Sequence, residues 1–433
     1  MAFKFDKSRE GHQSNLALFT SKPVDTGVES IQYTEYRPVA PISHGSSIEF
    51  NIPGSGMEYI DLSKTRLRVK VRILKASSGE PVTAADKVTL VNLPLQSLWR
   101  QVDVSLQQIV VTPTISTCYP YKAIMDVLLN NSEDRTDSEL QSQLFYKDTA
   151  GFMDNTDPEQ GMNLGLVERH AWTQNGNDVD LEGPLYVDIM RQKRLLLNGV
   201  QVNIVLYPSP NPFALMAVGD DYRYDITDAV LKVCMVKVNS GVLVGHNEAL
   251  KVSDAIYPFM RTDMKSYSIP SGLYTWSIDD PFLGQVPSRV IVALCSSAGA
   301  GGRFDKNPFN FANMNVNFVG FYVDDESKPA KPFQPNYKNN NYSKEYLSLF
   351  TGTGRYQTEG INISREDFKQ GYSFYVFDID GNHSEEFVSL SKRGHTRLAL
   401  QFSEALAEPI TLIAYASFPA TLQVTLERNV KVN

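Results

Sequence analysis

The feature of this sequence that most constrains its fold is a strict alternation of apolar and basic side chains in residues 65–74. Leu67, Val69, Val71 and Ile73 alternate there with Arg66, Arg68, Lys70 and Arg72. Because successive side chains of a β-strand point to opposite faces, this pattern predicts a strand with one buried face and one basic face.

The same period of two recurs along the chain and predicts an all-β protein. Strands are predicted at residues 102–106, 200–206, 230–238, 265–269, 274–278, 289–295, 314–318, 398–402 and 422–426. One of them contains the unbroken apolar run 290–295, which is typical of a strand buried on both faces. The 23 prolines and 27 glycines punctuate the chain between such segments, as the turns of an antiparallel sandwich require.

Helical patterns are few and short. The clearest begins at residue 119, where a proline suits the first helical turn, and is predicted to continue to residue 129. A second helix is predicted over 137–145, with Asp137 or Ser138 as its N-cap. Both lie in one insertion near residues 119–146. This arrangement favours helical loops on a sandwich over the crossover helices of a parallel sheet.

A soft boundary near residues 239–253 predicts two β-domains of similar size. The 433 residues are long enough for two sandwiches of eight strands each, with decorated loops. We predict a first domain at 31–245 and a second at 246–433. Residues 1–30 are polar and are predicted to form an N-terminal arm that orders on assembly.

The charge balance argues against a protein that grips nucleic acid. Lys plus Arg number 41 and Asp plus Glu number 49, which gives a formal net charge of −8. Such a chain has no global positive field, so near DNA it is expected to enclose the duplex with at most weak direct binding. No apolar signal segment follows Met1, and no apolar run approaches the roughly 18 residues of a membrane span. We therefore expect a product made in the cytosol, with no secretory signal peptide and no membrane span.

No pattern of catalytic or metal-binding residues is found. The six histidines form neither H-x-H nor H-E-x-x-H, so the local signature of a cupin-type metal site is missing. The glycine-rich segment 299–303 lacks the Lys-Ser/Thr of a phosphate-binding loop and no helical pattern follows it, so a flexible loop is predicted. Cys118, Cys234 and Cys295 are far apart and are predicted to be buried small hydrophobes. We predict no catalytic, cofactor-binding or metal-binding residue, no cofactor, and a protein that is not an enzyme.

The basic face of the strand at 65–74 is the most suggestive charged feature. Its four members are Arg66, Arg68, Lys70 and Arg72. One interpretation is an inward or inter-subunit surface that contacts packaged DNA or an acidic neighbouring subunit. The other, which we favour, is a solvated sheet face, because lysine and arginine also protect strands from unwanted pairing.

Several segments taken together resemble a known family. They are residues 33–39 (YTEYRPV), 48–56 (IEFNIPGSG), 59–62 (YIDL), 92–99 (NLPLQSLW), 119–122 (YPYK), 144–148 (LFYKD), 183–185 (GPL), 195–200 (LLLNGV) and 307–311 (NPFNF). In this order and spacing they resemble the hexon-like major capsid proteins of adintoviruses and Maverick/Polinton elements. The resemblance runs from about residue 30 to the C-terminus. One departure is the pair Gln107-Gln108, which stands where an Asn-Gly-like hairpin turn is expected.

The resemblance implies a double jelly roll, which is two eight-stranded sandwiches side by side. It implies a homotrimer that forms a pseudo-hexagonal capsomer and tiles an icosahedral shell around double-stranded DNA. Neighbouring capsomers, a penton and other minor capsid proteins would be its partners. The expected location is the virion, with assembly in the nucleus. Two other functional classes are kept as alternatives: a receptor- or glycan-binding sandwich of the spike or lectin type, and a cupin-like enzyme.

Overall fold

The computed structural model describes residues 14–16, 18–19, 21, 24–54, 56–112, 118–357, 360–381 and 390–432. Most of the predicted N-terminal arm therefore lies outside the described residues. We call the chain up to Val238 the first half and the chain from Ala255 onward the second half.

Antiparallel strands form most of the first half. Its strands are β1 (Val28–Tyr36), β2 (Ile48–Ile52), β3 (Glu58–Lys75), β4 (Val88–Leu90), β5 (Trp99–Leu106), β6 (Ile109–Val110), β7 (Val179–Pro184), β8 (Val202–Pro208), β9 (Leu215–Ala217) and β10 (Tyr222–Val238). Its helices are α1 (Pro94–Ser97), α2 (Tyr119–Asn130), α3 (Glu133–Thr136), α4 (Leu164–Thr173) and α5 (Asn211–Ala214), with 3-10 turns at Ser14–Leu16, Glu139–Gln143, Gln174–Gly176 and Asp188–Arg191.

Helix α6 (Ser240–Leu250) connects the two halves. The strands of the second half are β11 (Ala255–Ile269), β12 (Thr275–Asp279), β13 (Gln285–Val286), β14 (Arg289–Ser296), β15 (Val316–Val323), β16 (Glu326–Ser327), β17 (Phe374–Asp378), β18 (Lys392–Arg393), β19 (Thr396–Phe402), β20 (Ile410–Val424) and β21 (Val430–Val432). Its helices are α7 (Ser297–Gly301), α8 (Ser343–Gly352) and α9 (Arg365–Gln370).

The two halves repeat one sheet topology. In the first half the two main sheets have the strand orders β1-β10-β3-β7 and β2-β8-β5-β6. In the second half the orders are β11-β20-β14-β17, with β21 added to β20, and β12-β19-β15-β16. In each half the first and last long strands pair in one sheet, and the chain between them passes back and forth between the two main sheets. Each half also has a hairpin within a main sheet, β5-β6 or β15-β16, and a separate two-stranded sheet, β4-β9 or β13-β18. Every sheet of the described chain takes all its strands from one side of α6.

The predicted alternation in β3 is present. Leu67, Val69 and Val71 are fully buried, and the basic residues between them lie on the outer face of the sheet. Burial of each of these aliphatic side chains contributes roughly 1.5–3 kcal/mol to the stability of the fold, so this face fixes the register of the strand.

Strand β14 is buried on both faces, as its apolar run predicts, and the structure shows why. Val290, Val292 and Leu294 pack into the core between the two sheets of the second half. Ile291 and Cys295 point the other way, into a core that is continuous with that of the first half. The sheet that contains β14 is therefore a middle layer, covered on one face by its own sandwich and on the other by the first half.

Several local predictions were wrong. The helix predicted at 137–145 is replaced by the 3-10 turn Glu139–Gln143, which ends where Leu144 adopts a left-handed backbone with φ 57°. Segment 299–303 overlaps the short helix α7 and is not a flexible loop. Residues 314–315 have positive φ and precede β15, and β20 ends at Val424, before residue 426.

The unexpected pair Gln107-Gln108 does form a tight turn. Their φ values are 52° and 79°, and the turn joins β5 to β6. Two positive φ values at the centre of a two-residue hairpin loop are those of a type I′ turn. Asn-Gly or Asp-Gly is the usual sequence for such a turn, so a Gln-Gln pair gives no sequence signal for it.

Candidate assembly surfaces and inter-half contacts

The basic face of β3 lies between two strands that carry acidic side chains. Arg68 donates to both carboxylate oxygens of Asp180 on β7, at 2.8 and 2.6 Å. The hydrogen bond from Arg68 lowers the pKa of Asp180, although partial burial opposes the shift. This bidentate pair neutralises the central charge of the face.

The other three basic residues are also next to acidic or aromatic neighbours. Arg66 lies 3.9 Å from a carboxylate oxygen of Glu182 and stacks over the Tyr33 ring at 5.2 Å. Lys70 is in register with Asp180 on one side and Asp228 on the other, and Arg72 is in register with Asp225. These acidic partners lie more than 100 residues away in sequence, so the local pattern could not reveal them.

A group of apolar side chains is exposed around α4, and we call it the α4 patch. Its members are Phe152, Met162, Leu164 and Trp172. Trp172 is 56% exposed, although its indole N–H donates to the Tyr146 hydroxyl at 3.2 Å. The opposite side of the helix is anchored by fully buried side chains such as Leu166 and Arg169. Large exposed apolar patches are typical of interaction sites, so these four side chains are candidates for part of one.

A buried polar cluster around Asp148 joins the two halves, and we call it the Asp148 junction. Arg169 on α4 donates to Asp148 at 2.7 Å, and both side chains are at most 1% exposed. From the second half, Asn307 donates to the other oxygen of Asp148 at 2.9 Å. Tyr372, also from the second half, donates to the Asp148 backbone carbonyl at 2.7 Å.

The guanidinium of Arg169 has further partners inside the protein. Its Nε donates to the Leu90 carbonyl at 3.0 Å, and one terminal nitrogen donates to the Tyr146 carbonyl at 2.8 Å. A buried arginine needs several hydrogen-bond acceptors for its N–H groups, because an unpaired buried charge is very costly in free energy. The Asp148 junction therefore fixes α4, the insertion loop and the second half in one arrangement.

A second, mostly buried cluster, the Asp126 junction, is centred on helix α2. Its members are Lys122, Asp126, Asp188, Arg191, Thr262 and Tyr415. Lys122 contacts Asp126 and Asp188, each at 2.9 Å. Tyr415 of β20 donates to Asp126 at 3.0 Å, and the Thr262 backbone N–H of β11 donates to Asp188 at 2.7 Å. Two carboxylates of the first half thus bind two strands of the second half.

Charge and burial compete at Asp126. Burial disfavours the ionised carboxylate, but the positive charges of Arg191 and Lys122 outweigh it and hold the pKa of Asp126 below its ordinary value of 3.8. A signal for this junction was present in the sequence. Lys122 and Asp126 are four residues apart in an otherwise apolar helix, where charged residues are expected only if they are paired.

Among the described residues, no three His, Cys, Asp or Glu side chains come close enough to hold a metal ion. Cys118, Cys234 and Cys295 are buried, as predicted, and burial raises the pKa of Cys295 to about 12. Such a thiol stays protonated at neutral pH and is a poor nucleophile. No helix among the described residues has the length and apolar character needed to cross a membrane.

Comparisons with known proteins agree on the fold. No protein-family model matches the chain. The uncharacterised protein F54H12.2 of Caenorhabditis elegans is 22% identical over 402 residues, which cover 88% of this chain and 92% of that protein. A chain of the Sputnik virophage, solved by cryo-EM, superposes with a TM-score of 0.66 at 11% identity and covers 98% of this chain and 93% of its own.

The mavirus major capsid protein, solved by crystallography, is a further structural neighbour. It superposes with a TM-score of 0.54 at 12% identity, over 100% of this chain and 96% of that one. These likenesses and the repeated sheet topology confirm the predicted fold: the protein is mostly β-sheet with short helices, and its two halves form a double jelly roll.

Proposed function

We propose that this chain is a major capsid protein. It assembles as homotrimeric, pseudo-hexagonal capsomers that tile an icosahedral shell around double-stranded DNA. The observation that carries the proposal is the double jelly roll itself, which spans nearly the whole chain and is similar to viral proteins along 93% or more of their own length. The resemblance of its sequence segments to adintovirus and Maverick/Polinton capsid proteins favours an element of that kind.

The mechanism we propose is geometric. The Asp148 and Asp126 junctions tie the two sandwiches into one rigid tile, because each uses charged groups that must keep their partners inside the protein. Rigid tiles suit a closed shell, since interfaces between copies form without loss of conformational freedom inside each copy. A ring of three identical chains then needs two different complementary surfaces on each chain.

We assign the α4 patch to one of these two surfaces, with a second copy of the chain as its occupant. A trimer interface must remove large apolar side chains from water, and aromatic residues contribute most to such interfaces.

The same proposal includes domains at 31–245 and 246–433. It also includes a penton and minor capsid proteins as partners, synthesis in the cytosol, assembly in the nucleus and a location in the virion.

Replacing Trp172 by aspartate is expected to weaken the trimer. Loss of an aromatic contact and burial of a carboxylate together should raise the trimer dissociation constant by at least about tenfold. Sedimentation over a concentration series measures this change. Leu283→Asp, at an 86% exposed loop position of the second half, is the matched control and should leave the constant unchanged. An unchanged constant for Trp172→Asp would remove the α4 patch from the interface.

The ion-paired basic face leads to a prediction about DNA. The protein should bind duplex DNA only weakly, because acidic side chains of the neighbouring strand β7 lie against the basic face. Asp180 pairs with Arg68 at 2.6 Å. Glu182 lies 3.9 Å from Arg66 and pairs with Lys232 of β10 at 2.7 Å. The double variant Asp180→Asn/Glu182→Gln should tighten binding about tenfold and steepen its salt dependence, because freed cations then release counterions. Fluorescence anisotropy with a labelled duplex measures both quantities.

A control must separate this local effect from the change in net charge. Asp305→Asn/Glu404→Gln alters the net charge equally at exposed positions elsewhere and should change DNA binding much less. If the unmodified protein binds DNA tightly and Arg68→Ala abolishes that binding, the face is an inward DNA contact instead of a self-neutralised surface.

Electron microscopy of the purified protein tests the proposed function as a whole. We expect three-fold particles and, under assembly conditions, closed shells. A chain that stays monomeric and binds glycans on an array would instead indicate a receptor- or glycan-binding sandwich.

A further inference from the structure

Among the described residues before β1, four apolar side chains are exposed. They are Leu16, Leu18, Phe19 and Val24. Phe19 is 98% exposed. A short segment with this many unburied apolar side chains needs a partner surface, because each one left in water forgoes about 1.5–3 kcal/mol of burial free energy.

A largely apolar cavity lies where this segment joins the fold. Its volume is about 560 Å³, and Gly27 and Val28, the residues that lead into β1, form part of its wall. That volume is within the roughly 300–1,000 Å³ of cavities that hold small ligands or side-chain anchors. Helix α6 covers one side through Val242 and Leu250, and Tyr257 of β11 closes another.

Hydrogen bonds fix several residues of the cavity wall. The Tyr257 hydroxyl accepts from the Leu197 N–H at 3.1 Å and donates to the Leu195 carbonyl at 3.2 Å. On the α6 side, the Tyr59 hydroxyl and His246 Nδ1 are 2.9 Å apart. A wall held in this way is preorganised for an apolar occupant, since binding requires little rearrangement.

We propose that the occupant is the set of apolar side chains Leu16, Leu18, Phe19 and Val24 of a second copy of this chain. Three observations support this pairing. The four side chains are exposed, the cavity is largely apolar, and none of the four lines the cavity of its own chain, although Gly27 and Val28 form part of its wall.

Chain length permits the exchange. The nine residue-to-residue steps from Phe19 to Val28 span up to about 30 Å when extended, which is enough to reach a neighbouring copy. Reciprocal exchange of an identical element is a low-cost way to join copies, because each chain gives one segment and receives one. The inference rests on the proposed capsid function and adds a specific contact between copies to it.

Disulfide trapping between two variants tests the contact. Phe19→Cys places a thiol in the segment, and Ser253→Cys places one in the cavity wall. When the two variants are mixed, assembled and oxidised, a disulfide-linked two-chain species should form that neither variant forms alone. Ser277→Cys, at an exposed position on β12 outside the cavity, is the matched control and should give no linked species with Phe19→Cys.

A second change tests whether the contact is apolar. Adding Leu16→Asp and Leu18→Asp to the Phe19→Cys chain should reduce the linked species at least about tenfold, because carboxylates would be buried in an apolar cavity.

The results separate this inference from the proposed function. Capsomers without any linked species would overturn the segment exchange and leave the capsid function standing. A link that forms only within one chain, in the double variant Phe19→Cys/Ser253→Cys, would also overturn it. Failure of the unmodified protein to form capsomers would contradict the proposed function, whatever the trapping result.

Discussion

Replacing Arg169 by methionine should lower the free energy of unfolding by about 3–5 kcal/mol, which is the usual effect of removing one partner of a buried ion pair. Methionine keeps most of the side-chain volume but leaves the buried carboxylate of Asp148 without its guanidinium. The carbonyls of Leu90 and Tyr146 also lose their donors. Because whole domains are stable by only about 5–15 kcal/mol, much of the variant should fail to fold at 37 °C.

Denaturation in urea, followed by circular dichroism and by tryptophan fluorescence, measures this loss. Arg303→Met is the matched control, since Arg303 pairs with Asp305 at 2.6 Å but its side chain is 58% exposed. Exposed ion pairs contribute about 0–1 kcal/mol, so the control should retain nearly all its stability. Equal losses in the two variants would show that the Asp148 junction does not hold the halves together.

Replacing Asp126 by asparagine should cost about 3 kcal/mol or more, because Lys122 and Arg191 then lose the charge that balances them. Asparagine preserves shape and can still accept from the Tyr415 hydroxyl, so the change isolates the charge. The loss should appear mainly as separation of the two halves. Limited proteolysis, which would cut near α6 in the variant earlier than in the unmodified protein, measures it. The matched control is Asp305→Asn, where the carboxylate is 53% exposed.

The same variant should change the dependence of stability on pH. The pKa of Asp126 is lowered in the folded protein, so its contribution is fully present above the ordinary value of 3.8 and is lost as the pH falls through the folded-state pKa. Unmodified protein should therefore lose stability below about pH 4 more steeply than Asp126→Asn. Parallel acid-unfolding curves would exclude Asp126 as the group that titrates.

The sheets were predictable from the sequence because burial imposes a local period. Leu67, Val69 and Val71 lie two residues apart, and this spacing alone identifies β3 and its buried face. The run at 290–295 likewise predicted a strand buried on both faces. The packing of the second face against the other half depends on long-range contacts, and no local sequence pattern contains these contacts.

The junctions and the pairing of the basic face were harder to predict, for one physical reason. Each depends on side chains that the fold brings together from distant positions, such as Asp148 with Asn307 and Arg68 with Asp180. Helix α4 escaped prediction because its buried side includes Arg169 and His170, which look like surface residues in sequence. The residue types can be read from the sequence, but the burial of these side chains cannot.

The proposed capsid role of this double jelly roll is tested most directly by the mass of the purified 433-residue protein in solution. Native mass spectrometry or light scattering should give three times the chain mass of 48.5 kDa. Cryo-EM of the same sample should show three-fold particles that close into shells. A stable particle of one chain mass, which forms no larger assembly at any concentration or ionic strength tried, would contradict the account.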